Sequence, residues 1–193
     1  MSTEHTWKTD ERRKEETVEK TFDTTGEALC CAASVRLGGA LRVLAARAGL
    51  SDRYDTVMAG MEHLAASLDG GELDDAVLGP AFGANWNLGT RYPDDLSGVE
   101  FFRTGLKIVF VALVHTRPGQ QAEPAQGLEF ALEAAEAWPT DVRIGSFTRL
   151  ADFELACQQE AEARLRTDGL AALWKLTEGR CEQYRRVAEL LVG

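Results

Sequence analysis

The residues in this chain with the chemistry to bind or react fall into four groups. Carboxylates recur one helical turn apart, at Glu16 and Glu19, Glu72 and Asp75, and Glu133 and Glu136. Such pairs on facing helices can hold a divalent cation, but 31 acidic residues make the spacing common, and solvated helix faces account for it. A second group lies in residues 79–93, where Trp86, Arg91 and Tyr92 combine aromatic faces with a guanidinium and His115 follows in the next element. These four suit a ligand-binding loop, with Arg91 as the anion clamp. Acidic blocks make the third group: Glu129, Glu133 and Glu136 at helical spacing, and Asp74 and Asp75 near Asp69 and Glu72. Fields of one sign steer partners of the other sign. The fourth group is the corner at residues 44–51, a helix, Gly49 and Ser51, which has the look of a helix-turn-helix. That motif wants a buried apolar residue six positions after its glycine, and Asp55 stands there.

The sequence has no His-Glu-x-x-His, no Glu-x-x-His, no nucleophile elbow and no phosphate-binding glycine loop. It therefore predicts no catalytic set, no metal site and no cofactor. Net charge is −10, from 21 basic and 31 acidic residues. That argues against nucleic acid and against anionic membrane surfaces, both of which reward clustered Lys and Arg. No unbroken apolar run approaches the ~18 residues of a membrane span. The first 20 residues are polar and predict no export leader. The cysteines, Cys30, Cys31, Cys157 and Cys181, contain no Cys-x-x-Cys, and are read as buried small hydrophobes of a cytoplasmic protein.

The elements that must position these groups are helices. The chain holds 27 Ala and 23 Leu against 12 Val and 2 Ile, a helix-forming balance. We expect an all-α fold: a single-domain helical bundle of about seven helices with a buried central helix, over residues 23–193, preceded by a polar N-terminal arm at 1–22. A capping box at Thr24 and Glu27 opens the first helix, which Gly38 and Gly39 loosen near its middle before Gly49 stops it. Ser51 caps the next helix, whose apolar face runs Tyr54, Val57, Met61 and Leu64. A short helix reaches Leu78, and residues 79–93, with three glycines, two prolines and no period, form a long irregular loop. Ser97 and Glu100 cap the central helix, which holds the apolar run 108–114. Pro124 opens another helix that Pro139 stops; a further one covers 146–166; Thr167 and Asp168 cap the last.

Two stretches resemble the YjaG-like family of all-helical bacterial proteins. One is Arg36-Leu37 followed by Gly49, Asp52 and an amphipathic helix ending at Leu68; the other is Leu113-Val114-His115-Thr116-Arg117 at the end of a buried helix. The charged last helix with Arg180, Cys181 and Glu182 is similar in character. The chain departs from the family at Gly38-Gly39, where the family has an aromatic, proline-containing turn, and in its Gly-rich stretch. The resemblance implies a helical bundle and no activity. The expected function is binding of a basic protein partner by the acidic surface, as an inhibitor, immunity protein or adaptor. The alternative is a small-molecule binder or enzyme using residues 79–93, and a transcription regulator comes third.

Overall fold

The computed structural model describes residues 24–115 and 123–193, which leaves the expected arm outside the described residues. The described chain is one all-α bundle of seven helices: α1 (Thr24–Arg47), α2 (Ser51–Leu68), α3 (Asp75–Arg91), α4 (Val99–His115), α5 (Pro124–Glu136), α6 (Leu150–Asp168) and α7 (Leu170–Val192). Among the described residues there is no strand, only an isolated bridge between Ile144 and Phe147. The apolar run 108–114 is helical and, apart from the half-buried Phe110, buried, as its length and position require.

α1 is the hub, packed against α2, α4, α5, α6 and α7. It is long and apolar enough to cross a membrane, but most of that stretch is buried inside the bundle, where a helix surrounded on all sides needs the same composition. α4 is the second buried helix, packed on α1, α2, α3 and α5.

Glycine accounts for two departures from the sequence reading. Gly38 and Gly39 do not loosen α1, which is continuous through them. A Cβ on Gly39 would lie 2.0 Å from the Cys181 carbonyl oxygen, so the missing side chain lets α7 lie against α1. Residues 79–93 do not form a loop: residues 79–91 belong to α3, which runs through Pro80. Asp74 caps that helix by accepting from the Ala76 amide at 2.8 Å, and Leu78, Ala81, Asn85 and Leu88 are its buried stripe. Pro80 withholds one backbone donor, and both it and Ala76 lie on the exposed face, where the freed carbonyl meets solvent. At the α2–α3 crossing a Cβ on Gly60 would come within 2.3 Å of the Ala81 Cβ.

Two helix ends fall where the sequence places them, at Gly49 and Pro124, and the others are corrected. Gly49, at φ +69°, ends α1 with a Leu50-to-Ala45 bond of 2.8 Å and a Gly49-to-Ala46 bond of 3.1 Å, the paired bonds of a Schellman stop. Ser51 does not cap α2; it is the first helical residue, after Leu50, which offers no side-chain cap. Gly98, at φ +82°, and not Ser97, precedes α4. Residues 146–149 belong to the turn before α6 and not to the helix. α6 continues through Thr167 and Asp168 until Gly169, at φ +79°, separates it from α7. Pro124 stands in the first turn of α5, as its fixed φ favours.

Candidate functional site

α3 and α5 both pack on α4 and do not touch each other. A cleft of about 450 Å³ opens between them. Leu106, Phe110, Val111 and Val114 of α4 make its floor, Asn85 and Trp86 of α3 one wall, and Gln126 and Phe130 of α5 the other. The aromatic wall is connected: the Phe82 ring centroid lies 5.3 Å from that of Phe110, and the Trp86 centroid 6.4 Å from it. Trp86 is 65% exposed, unusual for the largest apolar side chain.

Among the described residues, two cations and no carboxylate line the cleft. Arg103 is engaged: it pairs with Asp94 and donates to the Gly89 and Tyr92 carbonyls at 3.3 Å, strapping the end of α3 to α4. Lys107 is exposed, its Nζ 5.3 Å from the Phe130 ring centroid, and it has no ion pair among the described residues. Asn85 is buried and donates through Nδ2 to the Leu106 carbonyl at 3.1 Å, while its Oδ1 is buried without a donor.

A second polar cluster joins α1 to α6 and α7. Arg36, Glu154 and Tyr184 are almost wholly buried. Glu154 accepts from Arg36 Nε at 2.9 Å, from Arg36 Nη2, from Tyr184 Oη at 2.7 Å and from Gln158 Nε2 at 3.0 Å. Gln158 also donates to the Leu128 carbonyl at 2.9 Å, so the network ties α1, α5, α6 and α7 together. Burial alone would lower the Arg36 pKa; the Glu154 carboxylate beside it reverses that and holds it above the ordinary value. Burial, then the neighbouring carboxylate, pushes the Tyr184 phenol well up. The same burial pushes the Cys30 and Cys157 thiols up to about 12 and Cys31 higher, which keeps them as poorly nucleophilic thiols.

The fold scatters the residues that the sequence singles out. Trp86 lines the cleft. Arg91 is exposed at the end of α3 and does not line it. Tyr92 is a core residue, stacked on Phe102 at 4.2 Å with its hydroxyl donating to the Ser97 carbonyl. The His115 side chain lies outside the described residues. Glu129, Glu133 and Glu136 are exposed along α5, and Asp74 and Asp75 are exposed at the start of α3, so the two acidic blocks sit on helices that do not meet. Asp74 also donates its backbone N–H to His63 Nε2 at 2.8 Å, joining the start of α3 to α2. Trp138 is buried edge-on against Phe101. Among the described residues no group of His, Cys, Asp and Glu is placed to hold a metal.

The sequence does not single out Arg103, Lys107, Phe110, Phe130 or the Arg36–Glu154–Tyr184 network. A signal exists for two buried polar residues: Glu154 stands within the stripe Leu150, Phe153, Cys157 and Ala161, and Asn85 within the stripe Leu78, Ala81 and Leu88. A polar residue on an apolar stripe demands a partner. No family model, no curated protein and no solved structure matches this chain.

Proposed function

We propose that this protein binds a small, largely apolar molecule in the α3–α4–α5 cleft. The observation that carries the reading is a cleft of about 450 Å³ with an exposed tryptophan on its wall. Small-molecule sites fall in that size range and combine apolar walls with a few polar groups. The reading keeps Trp86 and leaves Arg91 and Tyr92 out. N-phenyl-1-naphthylamine, a neutral apolar fluorophore, should bind with saturation. Trp86→Ala should weaken it several-fold, the loss of an aromatic contact worth about 1 kcal/mol. Equal binding by that variant overturns the reading.

A second reading, docking of a basic protein partner on the acidic surface, is favoured by a contrast between helices. Glu182 and Glu189 of α7 are paired with Arg185 and Arg186. Glu129, Glu133 and Glu136 of α5 have no ion pair among the described residues. The regulator reading gains no support: Asp55 is exposed at the start of α2 and pairs with Arg42 at 3.1 Å. The free, mostly buried cysteines fit a cytoplasmic setting.

A further inference from the structure

We infer that the ligand of the α3–α4–α5 cleft is a flat aromatic ring system; the inference rests on the cleft reading above and names the class of molecule. A ligand touches only the surface that the cleft leaves accessible. The aliphatic floor residues Leu106, Val111 and Val114 are buried, none of them more than 5% exposed. Trp86 is 65% exposed, and Phe110 and Phe130 are half-buried. The apolar side chains that present surface to a ligand are therefore the three aromatic ones, one from each helix.

These rings do not satisfy one another. In the core, Tyr92 and Phe102 are stacked, 4.2 Å apart at 24°. In the cleft, Trp86 stands 6.4 Å from Phe110 at 46°, a tilted contact, and among the described residues no ring is stacked on the indole face. Phe130 is already met by the Lys107 ammonium, so Trp86 is the ring with most to gain. A planar ring laid on the indole gains the stack that the free protein lacks, and it meets Phe110 at a tilt; ring quadrupoles favour both arrangements. That gain comes on top of the area buried, and a saturated molecule of the same outline does not receive it. Burial alone gives the opposite order, because the saturated molecule carries more hydrogen and more apolar area. Aromatic recognition and plain apolar burial therefore rank the two molecules oppositely.

Two uncharged probes test this by calorimetry: 2-naphthalenemethanol and its fully saturated counterpart, decahydro-2-naphthalenemethanol. The aromatic probe should bind tighter by roughly threefold or more. Trp86→Leu and Phe130→Leu each keep an apolar side chain and remove a ring. Each should shrink the preference, Trp86→Leu the more, and the double variant should put the saturated probe ahead. Far-UV circular dichroism and melting confirm that the variants fold, and the exposed Trp86 provides one with no core to disturb. If both probes bind the wild type and the saturated one binds equally or tighter, the aromatic class is overturned while the cleft reading stands. If neither probe binds, nor N-phenyl-1-naphthylamine, the cleft reading falls with it. A preference that survives undiminished in the double variant places its origin outside these rings and overturns the assignment.

Discussion

The Arg36–Glu154 cluster and the α3–α4–α5 cleft both set polar groups among apolar helices, and they end in opposite states. In the cluster, four donors from three residues converge on one carboxylate, and its polar groups answer one another. In the cleft, a buried acceptor has no donor and a cation has no carboxylate among the described residues. The first arrangement fixes how α1, α5, α6 and α7 pack. The second also ties α3 to α4, through Asn85 and Arg103, but leaves one acceptor and one cation without an opposite partner among the described residues. A closed polar set reads as architecture, and an open one as a site.

The sharpest break of that comparison is to open the closed set. Glu154→Leu leaves the Arg36 guanidinium buried and unpaired, and removing one partner of such a pair costs about 3–5 kcal/mol. The double change Arg36→Met with Glu154→Leu should recover most of it, since a matched apolar pair is often as stable as the ion pair. Asn85→Leu in the cleft should shift stability by less than about 1 kcal/mol, because it removes an unmet acceptor along with one hydrogen bond. Urea unfolding of the four proteins checks the contrast. A Glu154→Leu loss no larger than that of Asn85→Leu would remove the distinction.

The next effect compares glycines on the two sides. Gly39→Ala drives a Cβ into the Cys181 backbone, and helix against helix cannot yield cheaply, so a loss of about 1–3 kcal/mol is expected. Gly83→Ala in α3 meets nothing within 4 Å and removes a helix-interior glycine, so a gain of about 0.5–1 kcal/mol is expected. Thermal melts of the two variants should move in opposite directions.

These glycines also mark where the sequence is legible. The α2 face of Tyr54, Val57, Met61 and Leu64, the Gly49 stop and the Pro124 start follow from local rules, because the residues involved lie within a few turns of one another. Gly38, Gly39 and the glycines of α3 read as breaks because their cost is local. For Gly39 the compensation, a close approach by α7, lies 142 positions away at Cys181, since 181 − 39 = 142. The cleft is hidden for the same reason: Trp86 is visible alone, while Lys107 and Phe130 acquire meaning only when α3 and α5 straddle α4. Glu154 is one acid among 31 until Arg36 stands opposite it.

Alkali should act on the buried thiols and phenols, those of the closed side among them. Burial holds Cys30 and Cys157 up to about 12, and Tyr184 well above its ordinary value. Groups raised in the folded state keep their proton there and lose it earlier when unfolded. Their stabilisation is complete below the unfolded values of about 8.5–10 and is lost as pH rises toward the folded ones. The urea midpoint should stay flat from about pH 7 to 8 and fall between about pH 9 and 11. Cys157→Ala should make that fall shallower. An unchanged midpoint at about pH 10.5 would mean that these groups are not buried as described.

The smallest effect concerns Glu129, Glu133 and Glu136, which bear on the second functional reading. All three are exposed, so replacing them with Gln should change stability by no more than about 0.5 kcal/mol each. The sign should be favourable, because 129 and 133 lie at i,i+4 and 133 and 136 at i,i+3, where like charges repel. Pairing elsewhere makes the case specific: Glu182 and Glu189 of α7 are neutralised by arginines of their own helix, and the α5 set is not. If the α5 face receives a basic partner, the triple variant should associate more slowly, and its rate should respond less to salt, since charges at the rim of an interface act mainly on encounter. The partner itself is to be isolated by pull-down on the wild type, with the triple variant as the parallel bait, and the association rate measured at several salt concentrations. Because α5 also supplies the Phe130 wall, binding of N-phenyl-1-naphthylamine by the same variant separates the two readings: unchanged ligand affinity with slowed partner association places the partner on the exposed face of α5, outside the cleft. Unchanged partner association and unchanged salt response leave the three glutamates as a solubilising surface alone.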